Sequence, residues 1–248
     1  KNLTGALFCW RGGERSRLAQ EWLLEAGVNF PRIEGGFKAL RRFLMETMED
    51  IISKTEWIVI AGPTGSGKTE RIQKMENAID LEACANHRGS AFGGNPSPQP
   101  SQIDFEHCLA IELLKRHEKG ITKIYAEDES RMVGKSALPI SLYQKILTSP
   151  LIVIDEPMEK RVERVLRDYV TPAPEKMLPA LERIAKRLGG ALYKNIRQDL
   201  AQALCLEEPE QSAIYHRVWI EKILTEYYDP MYDHSLKERS GRILRLSS

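Results

Sequence analysis

One stretch constrains this chain more than any other: Trp57-Ile58-Val59-Ile60-Ala61-Gly62-Pro63-Thr64-Gly65-Ser66-Gly67-Lys68-Thr69. An apolar run feeds the spacing G-x-x-x-x-G-K-[ST], and the residues after Thr69 continue in a helical pattern. A buried strand, a glycine loop and a helix in this order make a phosphate-binding loop. The loop comprises Gly62, Thr64, Gly65, Ser66, Gly67, Lys68 and Thr69. Its glycines let the backbone turn sharply and aim successive N–H groups at one point. The helix beginning near Lys68 adds the positive end of its dipole. Lys68 supplies a mobile full charge, and the Thr69 hydroxyl is placed to ligand Mg2+. The motif predicts that the chain holds a phosphate or diphosphate group, without saying whose.

The 248 residues suffice for one large or two small domains. A hydrophobic fraction of 42% supports a packed core. No apolar run reaches the length of a membrane span, and no signal peptide is visible. The first residue is Lys1, from which we expect the sequence to begin inside a longer protein. Four widely spaced cysteines, Cys9, Cys84, Cys108 and Cys205, form no C-x-x-C pair. That spacing argues against a zinc site or a disulfide framework and favours a reducing cytoplasm. With a formal net charge of only +1, a nucleic-acid partner would have to meet local basic patches.

Before the phosphate loop, the apolar run Ala6-Leu7-Phe8 ends at Cys9. Cys9-Trp10-Arg11-Gly12-Gly13-Glu14-Arg15-Ser16 follows, then a helical pattern from Leu18 to Ala26. A cysteine in this position meets loop N–H groups and a helix N-terminus, with Arg11 and Arg15 adding positive charge. All three favour the nucleophilic thiolate. Cys84, Cys108 and Cys205 are read instead as ordinary structural cysteines. Val28 to Phe37 reads as a short strand and a glycine pair, Gly35-Gly36, before a helix from Lys38 to Lys54. That helix carries an apolar stripe of Leu40, Phe43, Leu44, Met48, Ile51 and Ile52, and a basic cluster of Lys38, Arg41 and Arg42.

Beyond the loop, Asn77 to Leu81 reads as a second strand or its end. The polar, glycine-rich Ala85 to Gly94 and the Pro/Gln/Ser segment Pro96 to Gln102 follow. Loops at the carboxyl ends of strands hold ligands in α/β proteins. His87, Arg88 and Ser90 are the candidates there for contacting an anion. Asp104 to Lys119 reads as a helix. The strand Ile121 to Ala126 ends in Glu127-Asp128-Glu129-Ser130-Arg131, acids suited to Mg2+ coordination or water activation beside a phosphate loop. Along a strand, Glu127 and Glu129 share one face and Asp128 takes the other. Asp128 is taken as the metal candidate beside Thr69, with Arg131 nearby. Asp155 and Glu156, ending the strand Leu151 to Ile154, are rivals. The helix Met158 to Tyr169 carries Arg161 and Arg164, read as phosphate contacts or as surface charge. From Pro174 the pattern is helical, with an apolar stripe of Leu178, Leu181, Ile184 and Leu188 that Gly189-Gly190 stops. The aromatic and acidic cluster Tyr227 to His234 reads as a packed cap.

Cys9-x-Arg11-Gly12-Gly13-x-Arg15-Ser16 resembles the active-site loop of rhodanese (sulfurtransferase) domains, in which the cysteine carries a persulfide sulfur. The strands that precede the cysteine in a full rhodanese domain are missing. Combined with the phosphate loop, Asn86-His87-Arg88-Gly89-Ser90-Ala91-Phe92-Gly93, Glu127-Asp128-Glu129-Ser130-Arg131 and Tyr227-Tyr228-Asp229-Pro230-Met231-Tyr232, it makes the chain resemble bacterial tRNA 2-selenouridine synthases over essentially its whole length. The resemblance implies an α/β fold. The C-terminal part of a rhodanese-like domain and a linker helix would span 1–54. A P-loop NTPase-like parallel α/β domain would span 55–248, with a helical tail from about 172. It further implies a transferase that acts on the wobble 2-thiouridine of tRNA with geranyl diphosphate and selenophosphate as co-substrates. Geranylation of the sulfur would be followed by its replacement with selenium, and Cys9 with Arg11 and Arg15 would form the selenium-handling site. Two other readings remain open: a nucleotide-dependent kinase or ATPase with a rhodanese-type regulatory domain, and a non-catalytic tRNA-binding module.

Overall fold

The computed structural model describes residues 5–11, 13–94 and 97–244; Gly12, Pro96 and Lys1, named above, lie outside them. Its elements run α1 (Glu14–Glu25), α2 (Gly36–Lys54), β1 (Glu56–Ala61), α3 (Lys68–Ile72), β2 (Ala78–Ile79), α4 (Leu81–Ala85), α5 (Gln102–Glu118), β3 (Lys123–Glu127), β4 (Met132–Val133), β5 (Ser136–Ala137), α6 (Ile140–Thr148) and β6 (Leu151–Val153). Helices α7 (Met158–Val165), α8 (Met177–Leu188), α9 (Gly190–Cys205), α10 (Pro209–Ile223) and α11 (Asp229–Glu238) complete the chain.

Strands β2, β3, β1 and β6 lie side by side in that order, all parallel. The sheet is therefore covered on both faces, as parallel sheets are. Trp57, Val59 and Ala61 of β1 alternate onto one face. There they join Met48, Ile51 and Ile52 of α2, Phe105, Leu109 and Leu113 of α5, and Leu142 and Ile146 of α6. Ile60 points the other way, against Ile72 of α3, Ala78 and Ile154. Helix α2 thus seats the lower part of its apolar stripe in the core of the sheet. Each such side chain contributes roughly 1.5–3 kcal/mol by leaving water. Phe43, on the same predicted stripe, is left 53% exposed, because α2 rotates only one side toward α5. Arg41 of the basic cluster turns into that interface, where it donates to Glu106 at 2.5 Å and meets His107 at 3.2 Å.

A second core joins α7, α8, α9 and α10 around Trp219, Leu181, Ile196, Leu200 and Ile220. Two π-helical turns, Leu166–Val170 after α7 and Leu224–Tyr228 after α10, interrupt these helices. The sequence shows no sign of them, and it also hides the β4–β5 hairpin and α6. The Tyr227–His234 cluster is helical, with α11 beginning at Asp229, and Tyr227 and Tyr228 pack against the second core.

Candidate functional site

Strand β1 delivers the chain at Ala61 into the loop, and the glycines there are set by close approach. A Cβ on Gly62 would lie 2.5 Å from the Ser66 hydroxyl and 3.1 Å from the Ile154 carbonyl. Gly65 and Gly67 hold φ of 80° and 83°, a conformation that glycine adopts without steric cost. Lys68 Nζ donates to the Gly62 carbonyl at 2.8 Å, so the ammonium lies back across its own loop. Ser66 is 1% exposed, and its hydroxyl has no partner among the described residues. Helix α3 runs for only five residues. It adds less dipole than the motif promises, so the anion-binding field must come from the loop N–H groups and from side-chain cations.

Helix α7 brings two arginines to the loop, and only one of them faces the cavity. Arg161, 5% exposed, donates Nε to the Thr64 carbonyl at 2.9 Å and both terminal nitrogens to the Asp229 carboxylate at 2.9 and 2.5 Å. It is a structural clamp tying the loop to the start of α11, neither a phosphate contact nor surface charge. Arg164 donates to the Gly65 carbonyl at 2.5 Å and pairs with Glu70 at 3.3 Å. Arg164, together with Arg167, lines the cavity over the loop.

The acids after β3 divide as the strand period requires. Glu127 is fully buried, and neither carboxylate oxygen has a partner among the described residues. Desolvation, then the charges of Glu82, Asp80 and Glu129, hold its pKa far above the usual carboxylate range; the Thr69 hydroxyl acts in the opposite sense. Glu129 lines the cavity, and desolvation with the Glu82 charge pushes its pKa up to about 8. Asp128, the expected metal candidate, faces away and accepts from Arg239 Nη1 at 2.6 Å. The carboxylates beside Thr69 are instead Glu82 and Glu127: Thr69 Oγ1 donates to Glu82 Oε2 at 3.1 Å. The sequence reading missed Glu82, which lies on the five-residue α4 just past β2. An acid closing the strand beside β3 was the signal available. Asp155 is exposed, while Glu156 pairs with Lys160 and Arg164; neither reaches the cavity.

These acids bear on Mg2+. The orphaned Glu127 carboxylate, with Glu82 and the Thr69 hydroxyl, offers the hard oxygen ligands that the ion takes. Among the described residues no group of three or more acid, His or Cys side chains is arranged to hold a metal unaided. The fit is therefore to Mg2+ held by one or two protein oxygens together with water and ligand phosphate oxygens, where it would neutralise part of the ligand's negative charge.

From the loop after α4, Arg88 and Ser90 line the cavity. Arg88 donates to the Asp168 carbonyl at 2.7 Å and lies 5.1 Å over the Tyr169 ring. Glu82 also holds this loop, accepting from the Gly89 N–H at 2.5 Å. His87 departs from expectation. It packs toward the β4–β5 turn at Gly134, its Nδ1 is buried without a partner among the described residues, and burial lowers its pKa. Arg131 is exposed and does not line the cavity.

The cavity over the phosphate loop holds about 280 Å³ and is walled by Gly65 to Thr69, Glu82, Arg88, Glu129, Arg164 and Arg167. A second, narrow and apolar cavity adjoins it, sharing Thr64, Ser90 and Tyr169 and lined also by Phe92, Met177 and Trp219.

The Cys9 site stands apart in sequence. Leu7 bridges Arg32 in parallel, with backbone bonds of 2.8 Å to Pro31 and Ile33 on either side. The Phe37 N–H donates to the Cys9 carbonyl at 3.0 Å. Gly36 is needed here: its φ is 59°, and a Cβ would lie 2.3 Å from the Cys9 carbonyl oxygen. The Ser16 hydroxyl donates to Cys9 Sγ at 3.4 Å. Cys9 has a lowered pKa, chiefly through the Ser16 hydroxyl and N–H, with the Arg15 charge a smaller cause. The expected loop N–H groups and Arg15 both contribute, and the Ser16 hydroxyl, not foreseen, contributes most. Arg11 instead offers its backbone carbonyl to the thiol at 3.5 Å. Trp10 stacks on Phe37 at 4.1 Å between ring centroids.

Residues 55–248 match the family model for the AAA domain of tRNA 2-selenouridine synthase. The chain belongs to the tRNA 2-selenouridine synthase family. A tRNA 2-selenouridine synthase of Marinobacter nauticus is 44% identical over 97% of this chain and 70% of its own length. Those of Pseudomonas fluorescens Pf0-1 and Pseudomonas aeruginosa LESB58 are 44% and 42% identical over 96% and 98% of the chain, each covered to 70% of its length. The family model spans the sheet, the phosphate loop, both cavities and the helical second core, and it starts after α2.

Proposed function

We propose that this chain is a tRNA-modifying transferase that replaces the sulfur of wobble 2-thiouridine with selenium through an S-geranyl intermediate. In the first step the thiocarbonyl sulfur attacks C1 of geranyl diphosphate. The C–O bond breaks, the diphosphate departs and the N3 proton of the base is lost. In the second step selenium of selenophosphate attacks C2, now made electrophilic by alkylation, and the geranylthiolate leaves; water then cleaves the Se–P bond, releasing phosphate and leaving the selenium on C2.

The observation that carries the reading is the cavity over Gly62–Thr69, where Lys68, Arg88, Arg164 and Arg167 surround one anion-sized space in a member of a tRNA 2-selenouridine synthase family. Charge that builds on the leaving diphosphate meets fixed cations and loop N–H groups, which need no reorganisation as the bond breaks. Lys68 is free to swing from the Gly62 carbonyl onto a phosphate oxygen. Thr69 with Glu82 and Glu127, the carboxylates ionised, would hold Mg2+ if the diphosphate brings it.

Cys9, in a loop similar to that of rhodanese domains, is the selenium-handling residue. Ser16 and, to a smaller extent, Arg15 lower the pKa of its thiol and so favour the thiolate. The tRNA would lie across exposed cations of α2 and the helical tail, including Lys38, Arg42, Lys186, Arg187 and Lys194; Arg41, engaged with Glu106, is not among them. No described helix is long and apolar enough to cross a membrane, in keeping with work on tRNA in the cytoplasm.

Incubating 2-thiouridine tRNA with the chain and geranyl diphosphate tests the first step. Mass spectrometry should show a geranyl adduct on the wobble nucleoside without added ATP. ATP turnover without such an adduct would favour the kinase or ATPase reading, and tRNA binding with neither would favour a binding module.

A further inference from the structure

We propose that the apolar cavity beside the phosphate loop holds the hydrocarbon tail of the diphosphate ligand, and that Trp219 closes its far end and so limits the chain length accepted. The proposal rests on the diphosphate reading of the loop above and goes beyond it by placing the tail.

Three observations converge. The first is continuity: Thr64 of the loop, Ser90 and Tyr169 line both cavities, so a ligand whose phosphates sit over Gly65–Thr69 has a direct path between them. The second is chemistry. Past Ser90 the walls are apolar, with Met177, Leu224 and Trp219 buried to 2%, 1% and 1% exposure. Beyond the hydroxyls of Tyr169 and Tyr228, a ribose or a second charged group would find no replacement for the hydrogen bonds to water that it loses there, whereas a hydrocarbon gains from every carbon buried. The third is backbone. Both π-helical turns border this cavity, and they contribute Tyr169 and Tyr228 to its walls. A π turn inserts an extra residue into a helix and is found mostly at functional sites. Here the two turns widen neighbouring helices at the same place.

Trp219 is fixed as the floor. Its indole N–H donates to His216 Nδ1 at 2.8 Å, one turn back on α10, and Phe92 lies against its ring at 5.9 Å between centroids. Phe92 itself is carried by the loop that brings Arg88 and Ser90 to the phosphates. The same segment therefore reads both ends of the ligand.

The test is equilibrium binding of inorganic pyrophosphate, geranyl diphosphate and farnesyl diphosphate to the wild-type chain and to Trp219→Leu. In the wild type, geranyl diphosphate should bind at least about tenfold tighter than pyrophosphate, since a mostly buried tail contributes far more than that threshold. Trp219→Leu should raise affinity for farnesyl relative to geranyl diphosphate by about tenfold, on the scale of a few buried methylenes, and leave pyrophosphate unchanged. If Trp219→Leu does not fold, Phe92→Ala takes its place, and geranyl affinity should fall while pyrophosphate affinity holds. Geranyl diphosphate binding no tighter than pyrophosphate, or variants that weaken both ligands equally, would overturn the tail site and leave the phosphate reading standing. A wild-type chain that binds neither would overturn both.

Discussion

Replacing Glu129 with Gln removes a charge and little else, which makes it a clean probe of the acid cluster. In the folded chain, desolvation and the Glu82 charge raise the Glu129 pKa from its usual 4.5 to about 8, against the opposing pull of Lys68. The folded state thus holds this proton more tightly than the unfolded chain does. The stability it lends is complete below pH 4.5 and is lost as pH rises through about 8. At ~1.4 kcal/mol for each tenfold change in proton affinity, the loss between pH 5 and 9 reaches about 4 kcal/mol, and roughly half of that once water in the open cavity screens the charge. Glu129→Gln carries no such dependence. Urea unfolding at both pH values should show the variant gaining about 2–4 kcal/mol on the wild type from pH 5 to pH 9. His87, His107 and His216, whose pKa values are lowered, titrate in both proteins and cancel in the difference. A wild-type-to-variant difference that stays constant with pH would refute the assignment of a trapped proton to this cavity.

The other predictions touch separate parts of the account. Lys68→Ala should reduce pyrophosphate affinity by about tenfold or more, as expected for losing a charge-assisted contact, measured by calorimetry. Arg161→Ala leaves the Asp229 carboxylate and the Thr64 carbonyl without their partner and should lower stability by about 3–5 kcal/mol, read from urea midpoints. Ser16→Ala should move the midpoint of Cys9 alkylation by iodoacetamide to higher pH, because the Ser16 hydroxyl is the main cause of the lowered thiol pKa; an unmoved midpoint would return the role to Arg15. Cys9→Ala should still make geranylated thiouridine and fail to convert it, shown by nucleoside mass spectrometry on pre-geranylated tRNA with selenophosphate. Equal selenouridine yields would remove Cys9 from the mechanism.

The phosphate loop was legible because its chemistry is local: glycines at Gly62, Gly65 and Gly67 and the pair Lys68-Thr69 are fixed by one strand–loop–helix unit. The separation of Glu127 and Glu129 from Asp128 followed from the two-residue period of a strand. What the sequence hid depends on distant partners. Asp128 turns from metal candidate to ion-pair partner because Arg239, 111 residues later, lies beside it. Arg161 becomes a clamp because Asp229 waits across the second core. His87 left the ligand set because the β4–β5 turn, unrecognised in two-residue strands, packs on it. The apolar cavity combines residues from Thr64 to Tyr228, and its π turns carry no local signal. At Cys9 the motif pointed to a thiolate held by loop N–H groups and arginine charge, and the structure adds the Ser16 hydroxyl as the main cause.

The most direct test of the central claim follows the wobble nucleoside through both steps in one reaction. Tritium-free 2-thiouridine tRNA is incubated with the chain and geranyl diphosphate, then with selenophosphate, and digested for mass spectrometry. The account predicts a geranyl adduct that forms without ATP, then disappears as 2-selenouridine appears. Selenouridine formed at the same rate with geranyl diphosphate left out would contradict it.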